Sequence, residues 1–205
     1  MAKVCLVTGG LGFIGQYVVR ELLQRGDTVR ILDLAQPAQP LPGVDYIQGS
    51  ITDDVLVQDA MRGVDWVFHL AANAGLWSPR KQDFLTINQV GTRNVMMSAH
   101  RCGVQRVVHT STESILKTDR KRETRSIENG TVRKHEEQNI GQAQDGTLSE
   151  ETLIDESVQL TFEDMVGAYC QGKYLAEQEA LAAAARGLPV VIVNPTIPMV
   201  SRTNR

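Results

Sequence analysis

Short apolar runs alternate along this chain with longer stretches in which apolar positions recur at helical spacing. Strands are read at Lys3–Thr8, Thr28–Asp33, Asp45–Gln48, Trp66–Leu70, Arg106–Thr110 and Val190–Asn194. Between them the helical pattern predicts helices over Gly12–Arg25, Asp53–Met61, Phe84–Cys102 and Glu163–Arg186. Gly26, Gly103 and Gly187 each stand just before a new strand, where a helix C-cap belongs. Strand and helix in alternation predict an α/β fold, a doubly wound parallel sheet with helices on both faces.

One segment breaks the rhythm. From Lys117 to about Thr152 the chain is polar, and its basic residues (Arg120, Lys121, Arg122, Arg133, Lys134) are balanced by Asp119, Glu123, Glu128, Glu136 and Glu137. It reads as a solvated loop inserted in one domain spanning 1–205, with a lid over a pocket as the alternative. A net charge of −3 gives no basic face for nucleic acid. No apolar stretch is long enough to cross a bilayer, and the N-terminus lacks a signal-peptide layout. Cys5, Cys102 and Cys170 are scattered and make neither a disulfide framework nor a zinc site, which fits a reducing, cytoplasmic setting.

The first strand runs straight into Thr8-Gly9-Gly10-Leu11-Gly12-Phe13-Ile14-Gly15 and then into a helix. Such a junction gathers bare backbone N–H groups and the positive end of a helix dipole, a place for a pyrophosphate. Gly9 permits the turn, Gly12 leaves room for a phosphate, and Gly15 lets the helix pack closely. Asp33 ends the second strand about eighteen residues past Gly15, where a carboxylate can accept both hydroxyls of an adenosine ribose and repel a 2′-phosphate. Leu34 and Ala35 follow it, with no arginine, so NAD is expected rather than NADP. Ser50 and Ile51 follow the third strand, at the level of an adenine edge; Asp53 is equally a helix N-cap.

Tyr169 and Lys173 are four residues apart on the last helix and share a face. A lysine cation beside a phenol favours the phenolate, which can take a proton from an alcohol or return one to a carbonyl. The fifth strand ends in Thr110, Ser111 and Thr112, and a hydroxyl there can hold a substrate oxygen; Thr112 is the choice over Ser111. His109 reads as a packed core histidine rather than a base.

Together these pieces resemble the extended branch of the short-chain dehydrogenase/reductases, the NAD-dependent epimerase/dehydratase family. The matching residues are the glycine loop, Phe68-His69-Leu70-Ala71-Ala72, Asn88 with Gly91-Thr92-Arg93-Asn94-Val95, Thr110–Thr112, Tyr169-x-x-x-Lys173 and Asn194-Pro195-Thr196. Leu76-Trp77-Ser78-Pro79 and the 189–195 stretch look closest to hopanoid-associated sugar epimerases and dihydroflavonol-4-reductase-like proteins. The resemblance implies a Rossmann fold and hydride transfer between nicotinamide and a carbinol or ketone carbon of a sugar-like small molecule. A reductase of the dihydroflavonol or hydroxysteroid type, and a dinucleotide-binding module without turnover, are the alternatives. It implies Tyr169 as acid/base, Lys173 as its tuner and a ribose contact, and Thr112 as donor to the substrate oxygen. Gly9, Gly12, Phe13, Ile14, Gly15, Asp33, Ser50, Ile51, Leu70, Ala71, Ala72, Asn88, Thr110, Asn194 and Pro195 would surround the cofactor. Ser50 stands where the family usually has aspartate. No metal is implied, and a homodimer through the Phe84–Cys102 and Glu163–Arg186 helices is. Members of this branch continue well past Asn-Pro-Thr, so a chain ending at Arg205 is expected to lack the substrate-binding part.

Overall fold

The computed structural model describes residues 2–75, 82–116, 125–128, 131–134 and 160–196. Residues 76–79, 197–205 and most of 117–152, on which the sequence reading also drew, lie outside them. In chain order the elements begin with β1 (Val4–Thr8), α1 (Gly15–Gln24), β2 (Thr28–Asp33), β3 (Val44–Gln48), α2 (Asp54–Ala60) and β4 (Trp66–His69). Then come α3 (Gln82–Leu85), α4 (Gly91–Arg101), β5 (Arg106–Thr110), β6 (Arg125–Glu128), β7 (Thr131–Lys134), α5 (Gly167–Ala185) and β8 (Val190–Val193).

Six strands form one parallel sheet in the order β3-β2-β1-β4-β5-β8. The chain winds outward from β1 to β3 and then crosses back to β4 on the other side of β1. The strand order therefore reverses between β1 and β4, and a ligand crevice opens there at the carboxyl ends. Register brings those ends level: Thr8 pairs with Leu32 and His69, His69 with His109, and Thr110 with Val193.

Alternate strand residues feed two apolar layers, because side chains of a strand alternate between faces. On one face Leu6, Leu32, Val67 and Val107 pack with Val57, Val95, Ala99 and Ala180 from α2, α4 and α5. On the other, Cys5, Val7, Val29 and Ile31 pack with Val19 and Leu22 of α1. Val191 and Val193 of β8 point away from α5 and are 44% and 40% exposed.

All six strands of the sheet lie within a residue of their expected bounds. The helices differ more. Gly12–Ile14 stay in the turn, with Gly12 N–H donating to Gly9 O, so α1 starts only at Gly15. The helix expected over Phe84–Cys102 starts at Gln82 and carries a π-helical turn over Thr86–Val90 between α3 and α4. Ahead of α5, Phe162–Asp164 form a separate 3₁₀ turn closed by a Thr161–Asp164 capping box. Gly167, with φ of +80°, divides the two. Within the polar insertion, β6 and β7 pair as antiparallel strands, where a solvated loop or a lid was expected. Asn129 and Gly130 stand between them, a dipeptide suited to tight hairpin turns that charge balance alone does not reveal.

The helix that bears Tyr169 and Lys173 lies close against α3 and the π turn because Gly172 has no side chain. A Cβ there would come within 2.8 Å of Phe84 O and 3.1 Å of Asn88 Nδ2. Gly172→Ala is therefore expected to destabilise the fold by about 1–3 kcal/mol despite its better helix propensity. Urea unfolding checks this, and a mutant as stable as the parent contradicts the close approach.

Candidate active site

The first βα turn is built from backbone contacts. Gly9 sits at φ +71°, its N–H donates to Leu32 O at 2.9 Å, and a Cβ on it would lie 2.8 Å from Ala71 N. Glycine is required here by both conformation and space. A Cβ on Gly15 would collide with Gly9 O and with Gly10, so this glycine serves the folding of the loop on itself as much as helix–strand packing. Gly12 lines a crevice of about 550 Å³ together with Gly9, Phe13, Ile14 and Gly15. Leu70, Ala71, Ala72, Ala74, Ile87 and Thr110 form the facing wall.

Asp33, Ser50 and Ile51 line the same crevice. Asp33 Oδ2 accepts the Leu11 N–H at 3.1 Å and Oδ1 accepts the Ala35 N–H at 3.2 Å. The carboxylate is thus aimed by the glycine loop and by its own turn, with lone pairs to spare. The Ser50 hydroxyl lies 2.7 Å from Thr52 Oγ1, and Asp53 caps α2 by accepting the Leu56 N–H.

At the other end, α5 brings Lys173 against β5. The residue is 4% exposed, and its ammonium donates to Thr110 O at 2.7 Å. Burial pushes the lysine down to about 8, against which the Glu177 carboxylate one turn along acts to raise it. Tyr169 is half-buried in the first turn of α5. The Thr112 hydroxyl accepts the Ser114 N–H at 3.3 Å and donates to Ser114 Oγ, capping a 3₁₀ turn over Glu113–Ile115.

Asn88, Asn194, Pro195, Tyr169, Lys173 and Thr112, all expected at the site, are not among the residues that line the crevice. The Asn88 amide, 1% exposed, accepts the Asn73 N–H at 2.7 Å and donates to Asn73 O at 3.2 Å, so it clamps the loop after β4. Asn194 Nδ2 donates to Thr112 O at 3.2 Å, and Pro195 O accepts the Glu113 N–H at 3.4 Å. These two lace the Thr110–Thr112 segment to the end of β8. Glu177 escaped the sequence reading; its place four residues past Lys173 was the available signal.

Beneath Lys173 lie two side-by-side histidines, with ring centroids 5.3 Å apart. His69 sits between two hydroxyls, Nδ1 at 2.7 Å from Thr8 Oγ1 and Nε2 at 3.0 Å from Thr92 Oγ1. A neutral imidazole, one nitrogen donor and one acceptor, satisfies both. Burial, aided by the Lys173 charge, pushes His69 down to about 3. His109 is 1% exposed, as a core histidine should be, but neither of its ring nitrogens has a hydrogen-bond partner among the described residues. Burial, His69 and Lys173 hold it well below the usual histidine range.

Comparison with known proteins agrees with the fold. Residues 6–158 match the model of the 3-beta hydroxysteroid dehydrogenase/isomerase family. The chain belongs to that family. Its members fall within the extended short-chain dehydrogenase/reductases that the motifs pointed to. A relative described as a putative dihydroflavonol 4-reductase, from Synechocystis sp., is 37% identical over 97% of this chain and 50% of its own length. The crystal structure of gox2253 covers 94% of this chain and 51% of that one, with a TM-score of 0.68 and 29% identity. MoeE5 in complex with UDP-glucuronic acid and NAD covers 92% and 52%, with a TM-score of 0.63 and 27% identity. The chain thus spans about half the length of the curated relatives it matches. Among the described residues no helix of this family member is long and apolar enough to cross a membrane.

The two histidines should respond oppositely to removal. His69→Leu takes one partner each from the buried Thr8 and Thr92 hydroxyls and is expected to cost about 2 kcal/mol. His109→Leu removes two buried nitrogens that bond to nothing and is expected to stabilise by about 1 kcal/mol. Thermal and urea unfolding at pH 7 check both. A destabilised His109→Leu contradicts the view that this ring spends nothing on hydrogen bonding.

Proposed function

We propose that this chain holds NAD across the carboxyl edge of its sheet and that Tyr169, Lys173 and Thr112 form a carbinol–ketone oxidoreduction site. The observation that carries the reading is one crevice with a glycine-walled floor, a carboxylate at one end and, at the other, the strand end that receives Lys173. Its residues fit an adenine dinucleotide. Gly12 leaves backbone bare where a pyrophosphate would rest, and Asp33 keeps acceptor capacity for ribose hydroxyls while its charge opposes a 2′-phosphate. Leu70, Ala71 and Ala72 present small or apolar walls, and Ser50 and Ile51 border the adenine end.

When bound, NAD would supply or accept the hydride. Within the chain, Tyr169 would take the proton from a carbinol oxygen or return it to a carbonyl oxygen. Lys173 stands four residues further along the same side of α5, and Thr112 would hold the same oxygen after releasing its capping bond to Ser114. Asn88, Asn194 and Pro195 serve by fixing the loops that carry these groups. The family match and the Synechocystis relative's name favour a ring ketone or carbinol of the hydroxysteroid or dihydroflavonol kind. The UDP-sugar-bound neighbour supports a sugar-nucleotide substrate instead. The reading includes a reducing, cytoplasmic setting and a homodimer through α4 and α5. A module that binds the dinucleotide without turnover is favoured by one observation, the Thr112 hydroxyl already engaged in its cap.

NAD titration followed by a turnover screen on hydroxysteroid, dihydroflavonol and UDP-sugar substrates separates these readings. Tyr169→Phe is expected to leave NAD affinity within about twofold and to lower turnover by about 10²–10⁴-fold; near-normal turnover removes the acid/base role. Asp33→Ala is expected to weaken NAD about tenfold and to narrow the preference over NADP. An unchanged preference, measured by calorimetry with both cofactors, contradicts the ribose contact.

A further inference from the structure

Tyr169, Lys173 and Glu177 follow one another at four-residue steps along α5 and so share one side of the helix. Lys173 ties the helix directly to β5 through Thr110 O, at 2.7 Å. Glu177 makes a second tie: its Oε2 lies 3.4 Å from Asn194 Nδ2, the nitrogen that also donates to Thr112 O at 3.2 Å. The helix with the phenol is thereby pinned at two points to the segment with the hydroxyls.

A carbonyl offers the buried ammonium a dipole but no opposite charge, and an uncompensated buried charge is costly. The titratable groups that interact with it are His69 on β4, His109 on β5 and Glu177 on α5. Both imidazoles are held neutral by burial. Glu177 is the group whose field favours the charged lysine.

We propose that Glu177 is a positioning residue of this site, acting as counter-charge for the Lys173 ammonium and, through Asn194, as the anchor that sets Thr112 against Tyr169. It deepens the reading of Tyr169, Lys173 and Thr112 given above and rests on it. Glu177 touches neither substrate nor cofactor in this role; it works through its two neighbours.

The test is a direct titration of Lys173 in the whole chain by NMR of isotope-labelled lysine side chains, its resonance identified by loss in Lys173→Met. The parent midpoint is expected near pH 8. Glu177→Gln keeps a partner for Asn194 but removes the charge, and its Lys173 midpoint is expected to fall by about one pH unit. Glu177→Asp is expected to restore most of that shift. Glu177→Leu, which also loses the Asn194 contact, is expected to shift the Thr112 and Asn194 amide resonances where Glu177→Gln does not. A Lys173 midpoint unchanged in folded Glu177→Gln overturns the proposal; should Glu177→Leu fail to fold, the near-isosteric Gln variant decides alone. NAD titration of the parent is the separate check. No NAD binding together with a shifted midpoint removes the cofactor reading and leaves the Glu177–Lys173 pairing standing.

Discussion

A contact between two pieces of backbone underlies the whole crevice. The first turn lies so close to the end of β4 that a single carbon added to Gly9 would meet Ala71 N at 2.8 Å. Thr8 Oγ1 adds a bond to the same Ala71 N–H at 3.3 Å, so the close approach also satisfies a polar group. The glycine loop and the alanine wall therefore meet at their base and diverge above it, as two walls of a groove must. Asp33 depends on the same arrangement, because the N–H that aims its carboxylate comes from Leu11 in that loop. Lift the loop by a methyl group and both the floor and the Asp33 end would shift together.

The other end of the crevice is organised around a cation that the fold pays for with its stability. Lys173 is held down to about 8 by burial, below its ordinary value of 10.5. The sign of the linkage is plain: the unfolded lysine binds its proton more tightly than the folded one. The fold therefore carries this cost below about pH 8 and regains stability as pH rises from there toward 10.5. Such a cost is characteristic of a working site rather than of packing. The neighbouring histidines make it bearable by staying neutral, and His69 does so while joining β1 to α4 through two hydroxyls.

The strands were legible because each is a short apolar run closed by glycine or a polar turn, and burial on both faces leaves little freedom in placing them. The glycine loop, Asp33, Leu70 through Ala72 and Thr110 were legible too, since backbone exposure and strand-end position follow from order along the chain. What escaped depends on contacts between elements far apart in sequence. Nothing local to Asn88 says that its amide will be spent on Asn73, and nothing local to Asn194 says that it will reach Thr112. The π turn at Thr86–Val90 was hidden for a related reason: one extra residue in a helix leaves the apolar period nearly intact over so short a span. The pairing of Arg125–Glu128 with Thr131–Lys134 was overlooked because charge dominated the reading of that segment.

That π turn gives the crevice and α5 a common support. It sets consecutive residues to different tasks, Ile87 lining the crevice while Asn88 turns inward to clamp Asn73. Gly172 then allows α5 to approach within contact of Phe84 O and Asn88, directly beside Lys173. The wall at Ala71–Ala74, the clamp at Asn88 and the helix with Tyr169 and Lys173 thus form one chain of close contacts. A displacement of α5 would reach the crevice wall through Asn88 as readily as through Thr110. The crevice and α5 are therefore one packed unit, joined through the π turn.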